Sequence, residues 1–267
     1  MTIEQLIVLA LIQGVTEFLP VSSSAHLILL PEFTNWADQG PLLDLAVHAG
    51  SLGAVMIYFK RDVVALFAGM GHFVRGRSST ESRLLLHLII ATLPVLAAGA
   101  IFKVTGLAEA VRSIEVIGWM TLVFGAVLYV ADIRGSMEVT IPDLKHKGAL
   151  WIGLAQCLAL FPGTSRSGIT ITAARAMGMG RREAAHFSML LALPTISIFA
   201  LVAGYEVAQS GDAVLRQDVL IAMALSFISA LAAISIFMNL LKRMSLLPFV
   251  IYRMVLGVGL LSYVYFF

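Results

Sequence analysis

QGVTEFLPVSSSAH, Gln13 to His26, and QCLALFPGTSRSGIT, Gln156 to Thr170, interrupt an otherwise apolar chain of 267 residues at two places. Both are flanked by apolar residues, and both carry a proline followed by a cluster of hydroxyl residues. Aligned without gaps, Gln13 to Ser24 and Gln156 to Ser167 share Gln, Phe and two Ser at matching positions. Proline stops a helix because it lacks the N–H and clashes with the preceding turn. Serine is a good N-cap for a helix that restarts. Each stretch therefore reads as a re-entrant helix–break–helix. Broken backbone at membrane depth is tolerated only when it is buried in protein or lines a wet cavity.

The rest of the chain supplies the membrane spans. Hydrophobic residues make up 59% of it and charged residues only 13%, against about 45–50% and about 25% in soluble domains. Six apolar stretches approach the roughly 20 residues that a spanning helix needs: 44–60, 84–102, 116–132, 185–205, 219–241 and 246–267. The pattern is one broken segment plus three spans, twice. Three spans and a hairpin make an odd number of crossings, so the second copy is expected to be inverted. The expected fold is an all-α polytopic membrane protein. It forms a single integral membrane domain over 1–267, built from inverted repeats at about 1–132 and 149–267.

Charge supports this topology. With the amino terminus outside, the loops at 60–83, 133–148, 175–184 and 242–245 face the cytoplasm. They hold Lys60, Arg61, Arg75, Arg77, Arg83, Arg134, Lys145, Lys147, Arg175, Arg181, Arg182, Lys242 and Arg243. The outer loops hold Lys103, Arg112 and Arg216, and they collect Glu109, Glu115, Glu206, Asp212 and Asp218. Cytoplasmic loops are enriched in Lys and Arg. The net charge of +2 comes with no basic stripe, which argues against a nucleic-acid partner. A single cysteine, Cys157, excludes an internal disulfide. Glu4 stands where a secretory signal would carry basic residues, so the amino terminus is expected to be retained.

Inverted repeats with broken helices place their site near the midplane, between the repeats, and the residues at the breaks suit phosphate chemistry. Glu17 lies in apolar sequence, four residues after Gln13 on one helix face. An ionisable residue at membrane depth is a functional candidate by default. His26 follows Ser22 and Ser23 at helical spacing, and a hydroxyl beside an imidazole is how a weak nucleophile is activated. The plainer reading has one serine capping the helix and His26 as a buried structural residue. Arg166 sits in PGTSRSGIT, where a guanidinium fork and the N–H groups of a helix start would bind phosphate oxygens. Gly163, Thr164, Ser165 and Ser167 complete that expected cradle. Asp44 and His48 share a face and read as supporting or interfacial residues. Arg253 reads as structural, paired with a carboxylate or snorkelling.

At these motifs the chain resembles the undecaprenyl-diphosphate phosphatase family, the bacitracin-resistance membrane phosphatases. The resemblance covers essentially the whole chain and is most specific at QGVTEFLPVSSSAH and PGTSRSGIT; HFSMLLALP and LPFVIYR also look like family sequence. It implies hydrolysis of undecaprenyl diphosphate to undecaprenyl phosphate and inorganic phosphate, which recycles the lipid carrier of cell-wall synthesis. It implies a divalent cation, Mg2+ or Ca2+, and a bacterial inner-membrane location with the site open to the periplasmic face. The site it carries over is Gln13, Glu17, Ser22, Ser23, His26, Ser165, Arg166 and Ser167. The family's first motif is commonly written with Glu or Gln followed four residues later by Glu; here these are Gln13 and Glu17, which leaves one carboxylate for a metal.

The expected roles are Arg166 and the N–H groups after Pro162 on the diphosphate, Glu17 with Gln13 on the cation, Ser23 as nucleophile and His26 as general base. Attack by water or by His26 itself stays open. The expected partners are the polyprenyl diphosphate and the membrane lipids, and a homodimer is compatible with the sequence. Two alternatives compete. The other membrane lipid-phosphatase class lacks a candidate here, because no His follows Ser165-Arg166 within a dozen residues. A flippase or transporter of the lipid would suit inverted repeats equally well.

Overall fold

The computed structural model describes the backbone of residues 2–34, 36–210 and 213–267, and the side chains of these except at 41, 199, 202–204, 206–210 and 213–216. Asp212 lies outside the described residues, as do the side chains of Glu206 and Arg216. The described chain is helical, with one isolated bridge between Val139 and Met179.

The first stretch folds as α1 (Ile3–Thr16), a break, and α2 (Ser23–Thr34). Then come α3 (Gly40–Tyr58), α4 (Lys60–Val74), α5 (Thr80–Thr105), the short α6 (Leu107–Ala110) and α7 (Ile114–Arg134). The second stretch folds as α8 (His146–Gln156), a 3-10 turn and a break, and α9 (Arg166–Ala176). It is followed by α10 (Arg181–Ser210), α11 (Ala213–Leu240) and α12 (Leu247–Phe266). Four stretches, Thr80–Thr105, Ile114–Arg134, Gln217–Leu240 and Leu247–Phe266, are long and apolar enough to cross a membrane. A fifth candidate joins α3 to α4 through a bend of 87°. The remaining expected span, 185–205, falls within α10, a 30-residue helix with Pro194 inside it. This is a multi-pass membrane protein.

Some helix contacts recur in the two halves. α1 packs on α11, and α8, its counterpart, packs on α5, the counterpart of α11. α3 packs on α10, and α7 packs on α12, each pair linking equivalent helices of the two halves. Both crossed contacts are close. A Cβ on Gly14 of α1 would lie 1.9 Å from Ser229 Oγ of α11, and one on Gly153 of α8 would lie 2.6 Å from the Ala91 carbonyl of α5. Without a hydrophobic drive between helices in lipid, small residues that let backbones approach supply the packing. The halves thus interlock instead of standing side by side.

The breaks repeat at the level of the backbone. The two non-glycine residues with positive φ among those described are Ser22, at 75°, and Ser165, at 72°. They are the two that the ungapped alignment superposes. Each caps the helix that follows: Ser22 Oγ accepts from the Ala25 N–H at 3.4 Å, and Ser165 Oγ from the Gly168 N–H at 3.0 Å. Strained conformations of this kind cost about 1–3 kcal/mol each and persist where the surroundings over-determine them.

Some of the loops expected to share a side are in contact. Asp132, at the end of α7, lies 3.3 Å from Arg175 at the end of α9 and 2.7 Å from Arg181 at the start of α10, and accepts from the Leu246 N–H before α12. Three of the loops assigned to one side therefore meet. Asp38 and Arg112 pair at 3.4 Å on the other side. One expectation needs correction. Residues 60–83 are not a loop throughout, because Lys60–Val74 forms the amphipathic helix α4. Lys60, Arg61 and Asp62 begin that helix, and its apolar residues were too few to stand out as a span.

Candidate active site

The two breaks meet. Gly163 N–H of the second donates to Ser22 Oγ of the first at 3.2 Å, and Ser167 Oγ donates to the Leu19 carbonyl at 2.9 Å. Arg253 of α12, fully buried, clamps them from behind. Its guanidinium donates to the carbonyls of Pro20 in the first break and of Gly163 and Thr164 in the second, and to those of Met120 and Thr121 in α7. Broken helices leave carbonyls without intrahelical partners, and Arg253 satisfies them with five donors in one fixed plane. Arg253→Met should therefore lower stability by about 3 kcal/mol or more, since each buried carbonyl left without a donor costs about 1–3 kcal/mol. Thermal denaturation in detergent would read this as a lowered midpoint; an unchanged midpoint would show that the carbonyls find other donors.

The ionisable centre is Glu17, whose side chain is 5% exposed. Its Oε2 accepts from Ser23 Oγ at 2.6 Å and from Gln13 Nε2 at 3.0 Å, and lies 3.5 Å from His48 Nε2. Its Oε1 accepts from Arg166 Nη2 at 3.3 Å. Arg166 Nη1 donates to the Ser188 carbonyl of α10 at 3.0 Å, and the guanidinium lies over the Phe18 ring at 5.8 Å. Arg166 Nε is buried with no partner. A carboxylate from one break, a guanidinium from the other and a hydroxyl within proton-transfer reach are thus held together at low exposure.

Glu17, Ser23 and Arg166 line one cavity of about 640 Å3, together with Ser22, Ser24, Asp44, His48, Gln156 and Ser165. Away from this polar end its wall is apolar, formed by Val95, Leu96, Gly99 and Phe102 of α5, Ala159 and Leu160 before the second break, and Ile196 of α10. Lys103 and Ala108 stand at the α5–α6 end. Such a cavity offers a charged head group one end and an isoprenoid-like tail the other.

Several expected residues sit elsewhere. His26 does not pair with a serine hydroxyl. Its Nδ1 donates to the Ser22 carbonyl at 2.7 Å, which leaves Nε2 to accept from the Tyr252 hydroxyl. The helical spacing of Ser22, Ser23 and His26 is right, but the imidazole bonds back to the Ser22 carbonyl one turn before it, and the Ser23 hydroxyl turns to Glu17. Gly163 and Thr164 do not form an open cradle either: the Gly163 N–H is taken by Ser22, and both carbonyls by Arg253. Ser167 and Gln13 are fully buried. Sequence reasoning left His48 as a supporting residue and passed over Gln156, Ser188 and Tyr252. The match of Gln156 to Gln13 was the available signal for one of them. Both glutamines are fully buried with Oε1 unpartnered.

The model of the family described as bacitracin resistance protein BacA matches residues 6–259. The chain belongs to that family. Among its relatives, a protein named undecaprenyl-diphosphatase from Jannaschia sp. (strain CCS1) is 51% identical over 266 residues, covering 99% of this chain and 100% of the relative. Another of that name from Ruegeria pomeroyi is 51% identical over 266 residues, with the same coverage. An undecaprenyl-diphosphatase 1 from Pseudoalteromonas translucida is 46% identical over 264 residues, covering 98% of this chain and 99% of the relative. For this BacA family member the break-to-break contact, and not either motif alone, assembles the charged cluster.

Proposed function

We propose that this protein is an undecaprenyl-diphosphatase, hydrolysing undecaprenyl diphosphate to undecaprenyl phosphate and inorganic phosphate. The observation that carries the reading is Glu17, buried, hydrogen-bonded to Ser23 and paired with Arg166 at the polar end of an otherwise apolar cavity. Family membership and the names of the relatives support it.

Phosphoryl transfer needs positioning and charge neutralisation above all. Arg166 binds the diphosphate through its unpartnered Nε and through the donor it now gives to Glu17. Ser23 Oγ attacks the terminal phosphorus while its proton passes to Glu17 Oε2. The bond from that phosphorus to the bridging oxygen breaks, and undecaprenyl phosphate leaves. Glu17 gives that proton up to the departing phosphate. Water then attacks the phosphoserine and passes a proton to Glu17; the bond from phosphorus to Ser23 Oγ breaks, Glu17 returns the proton to Ser23 Oγ, and inorganic phosphate departs. His26 holds the Ser22 carbonyl and so the shape of the first break.

A divalent cation fits the residues present. Gln13 Oε1, a buried acceptor without a donor, adjoins the Glu17 carboxylate. Among the described residues no group of three or more His, Cys, Asp or Glu gathers to hold a metal. Glu17 and Gln13 would thus supply two oxygens, and the rest would come from phosphate and water, which is the habit of Mg2+ more than of Ca2+. When bound, such an ion neutralises phosphate charge as it develops.

Phosphate release from long-chain prenyl diphosphate by the purified protein in detergent tests the activity; a flippase without hydrolysis would release none. The bacterial inner membrane and an outward-opening site are part of the same proposal, supported by the basic loops and by Lys103 at the far end of the cavity. Cysteines placed singly at Arg75, Lys145 and Glu109 in a Cys157→Ser background test the orientation. An impermeant thiol reagent on intact cells should label position 109 and spare 75 and 145. Labelling at 75 or 145 instead would reverse it.

A further inference from the structure

We propose that α4 is an interfacial anchor that gathers anionic phospholipid headgroups of the bilayer beside it. This goes beyond the hydrolytic reading and does not depend on it.

The helix is short, 15 residues, and turns 87° from α3, so it runs nearly at right angles to it. One side of it is held by the protein. Leu66 packs against the main core, Gly69 is buried, and Asp62 lies 3.3 Å from His186 of α10. The side turned away is apolar, with Val64, Phe67, Met70 and Val74 between 50% and 80% exposed. Apolar area of that kind in a helix with one docked side is what buries into the headgroup–acyl boundary.

Charge identifies the occupant. Lys60 and Arg61 are exposed at the start of the helix, and Arg75 and Arg77 are exposed just past its end. None of the four makes an ion pair among the described residues, whereas the acidic Asp62 is drawn inward to His186. A protein partner would be expected to bring carboxylates to both ends and a matching apolar groove between them. A bilayer with anionic lipid supplies both features at once. The cations reach outward to phosphate while their stems and the apolar face stay in the acyl region, and each basic residue near such a surface contributes to the attraction.

The test uses Phe67→Trp protein reconstituted in phosphatidylcholine vesicles that contain, at equal low mole fraction, either brominated phosphatidylcholine or brominated phosphatidylglycerol. The chain has 3 tryptophans of its own, so the parent protein gives the background to subtract. The added signal should be quenched by both lipids, and at least about twofold more by the anionic one. Replacing Lys60, Arg61, Arg75 and Arg77 with Gln should erase the preference and keep the quenching. An unchanged thermal midpoint certifies that this variant is folded. No quenching by either lipid would show the face covered by protein, a second copy included, and would overturn the proposal. Equal quenching of the parent-charge protein by both lipids would overturn the headgroup selection.

Discussion

Replacing Glu17 with Gln is expected to lower the rate of phosphate release by about a hundredfold to ten-thousandfold, the range for losing a positioned general base. The substitution keeps the shape of the side chain and can keep the hydrogen bond from Ser23. What it removes is the basicity that takes the Ser23 proton and the charge that faces Arg166. The second loss has a structural cost as well, because a guanidinium only 13% exposed is left without its counter-ion. The rate must therefore be compared per folded molecule, below the midpoint of both proteins. Glu17→Asp separates the two contributions. It keeps the charge, and with it most of the stability, but withdraws the carboxylate by one methylene from a hydroxyl that now sits at 2.6 Å. Low activity with a near-parental midpoint is expected for that variant. A Gln variant that releases phosphate within about tenfold of the parent would remove Glu17 from the chemistry.

The breaks were legible because proline, glycine and serine act locally. Pro20 and Pro162 interrupt helical hydrogen bonding whatever surrounds them, and the hydroxyl clusters restart the helices. The ungapped alignment reached further than four shared residues suggested, for it placed Ser22 opposite Ser165, and these share left-handed backbone. Four of the six expected spans were legible from apolar length alone. α4 was not, because a helix with one docked side, opening on Lys60-Arg61-Asp62, reads as a charged loop when only length is counted.

The site was half legible. Glu17 and Arg166 were visible as ionisable residues in apolar sequence, and their meeting follows from the interlocking of the halves. Partners set by distant sequence were not visible. Nothing near Ser22 says that its hydroxyl will serve Gly163, 141 residues on, nor that Tyr252 will occupy His26. The expected pair of Ser23 and His26 failed because each found another partner: Ser23 Oγ turns across the break to Glu17, and His26 Nδ1 bonds back to the Ser22 carbonyl one turn before it. The Arg253 clamp has the same origin, since its carbonyl partners come from α7 and from both breaks.

That difference between a hydroxyl used by the fold and one left for chemistry makes the serine series decisive. Ser22 Oγ is occupied: it accepts from Gly163 N–H and Ala25 N–H and shares a contact with Ser24 Oγ. Ser22→Ala should therefore behave as loss of a helix cap, at about 1 kcal/mol of stability, with turnover per folded molecule reduced only modestly. Ser24 lines the cavity without touching Glu17, and its loss should be milder still. Ser23 alone donates to the buried carboxylate, so Ser23→Ala should lower phosphate release at least about a thousandfold, or about 4 kcal/mol of transition-state stabilisation, while leaving the midpoint nearly unchanged. With phosphate-labelled substrate, acid quenching should trap label on the parent protein and none on the Ser23 variant. If Ser22→Ala is dead and Ser23→Ala active, the nucleophile moves by one residue. If all three variants turn over and no label is trapped, Glu17 activates water directly, and Ser23 is reduced to holding the carboxylate in place until the diphosphate arrives.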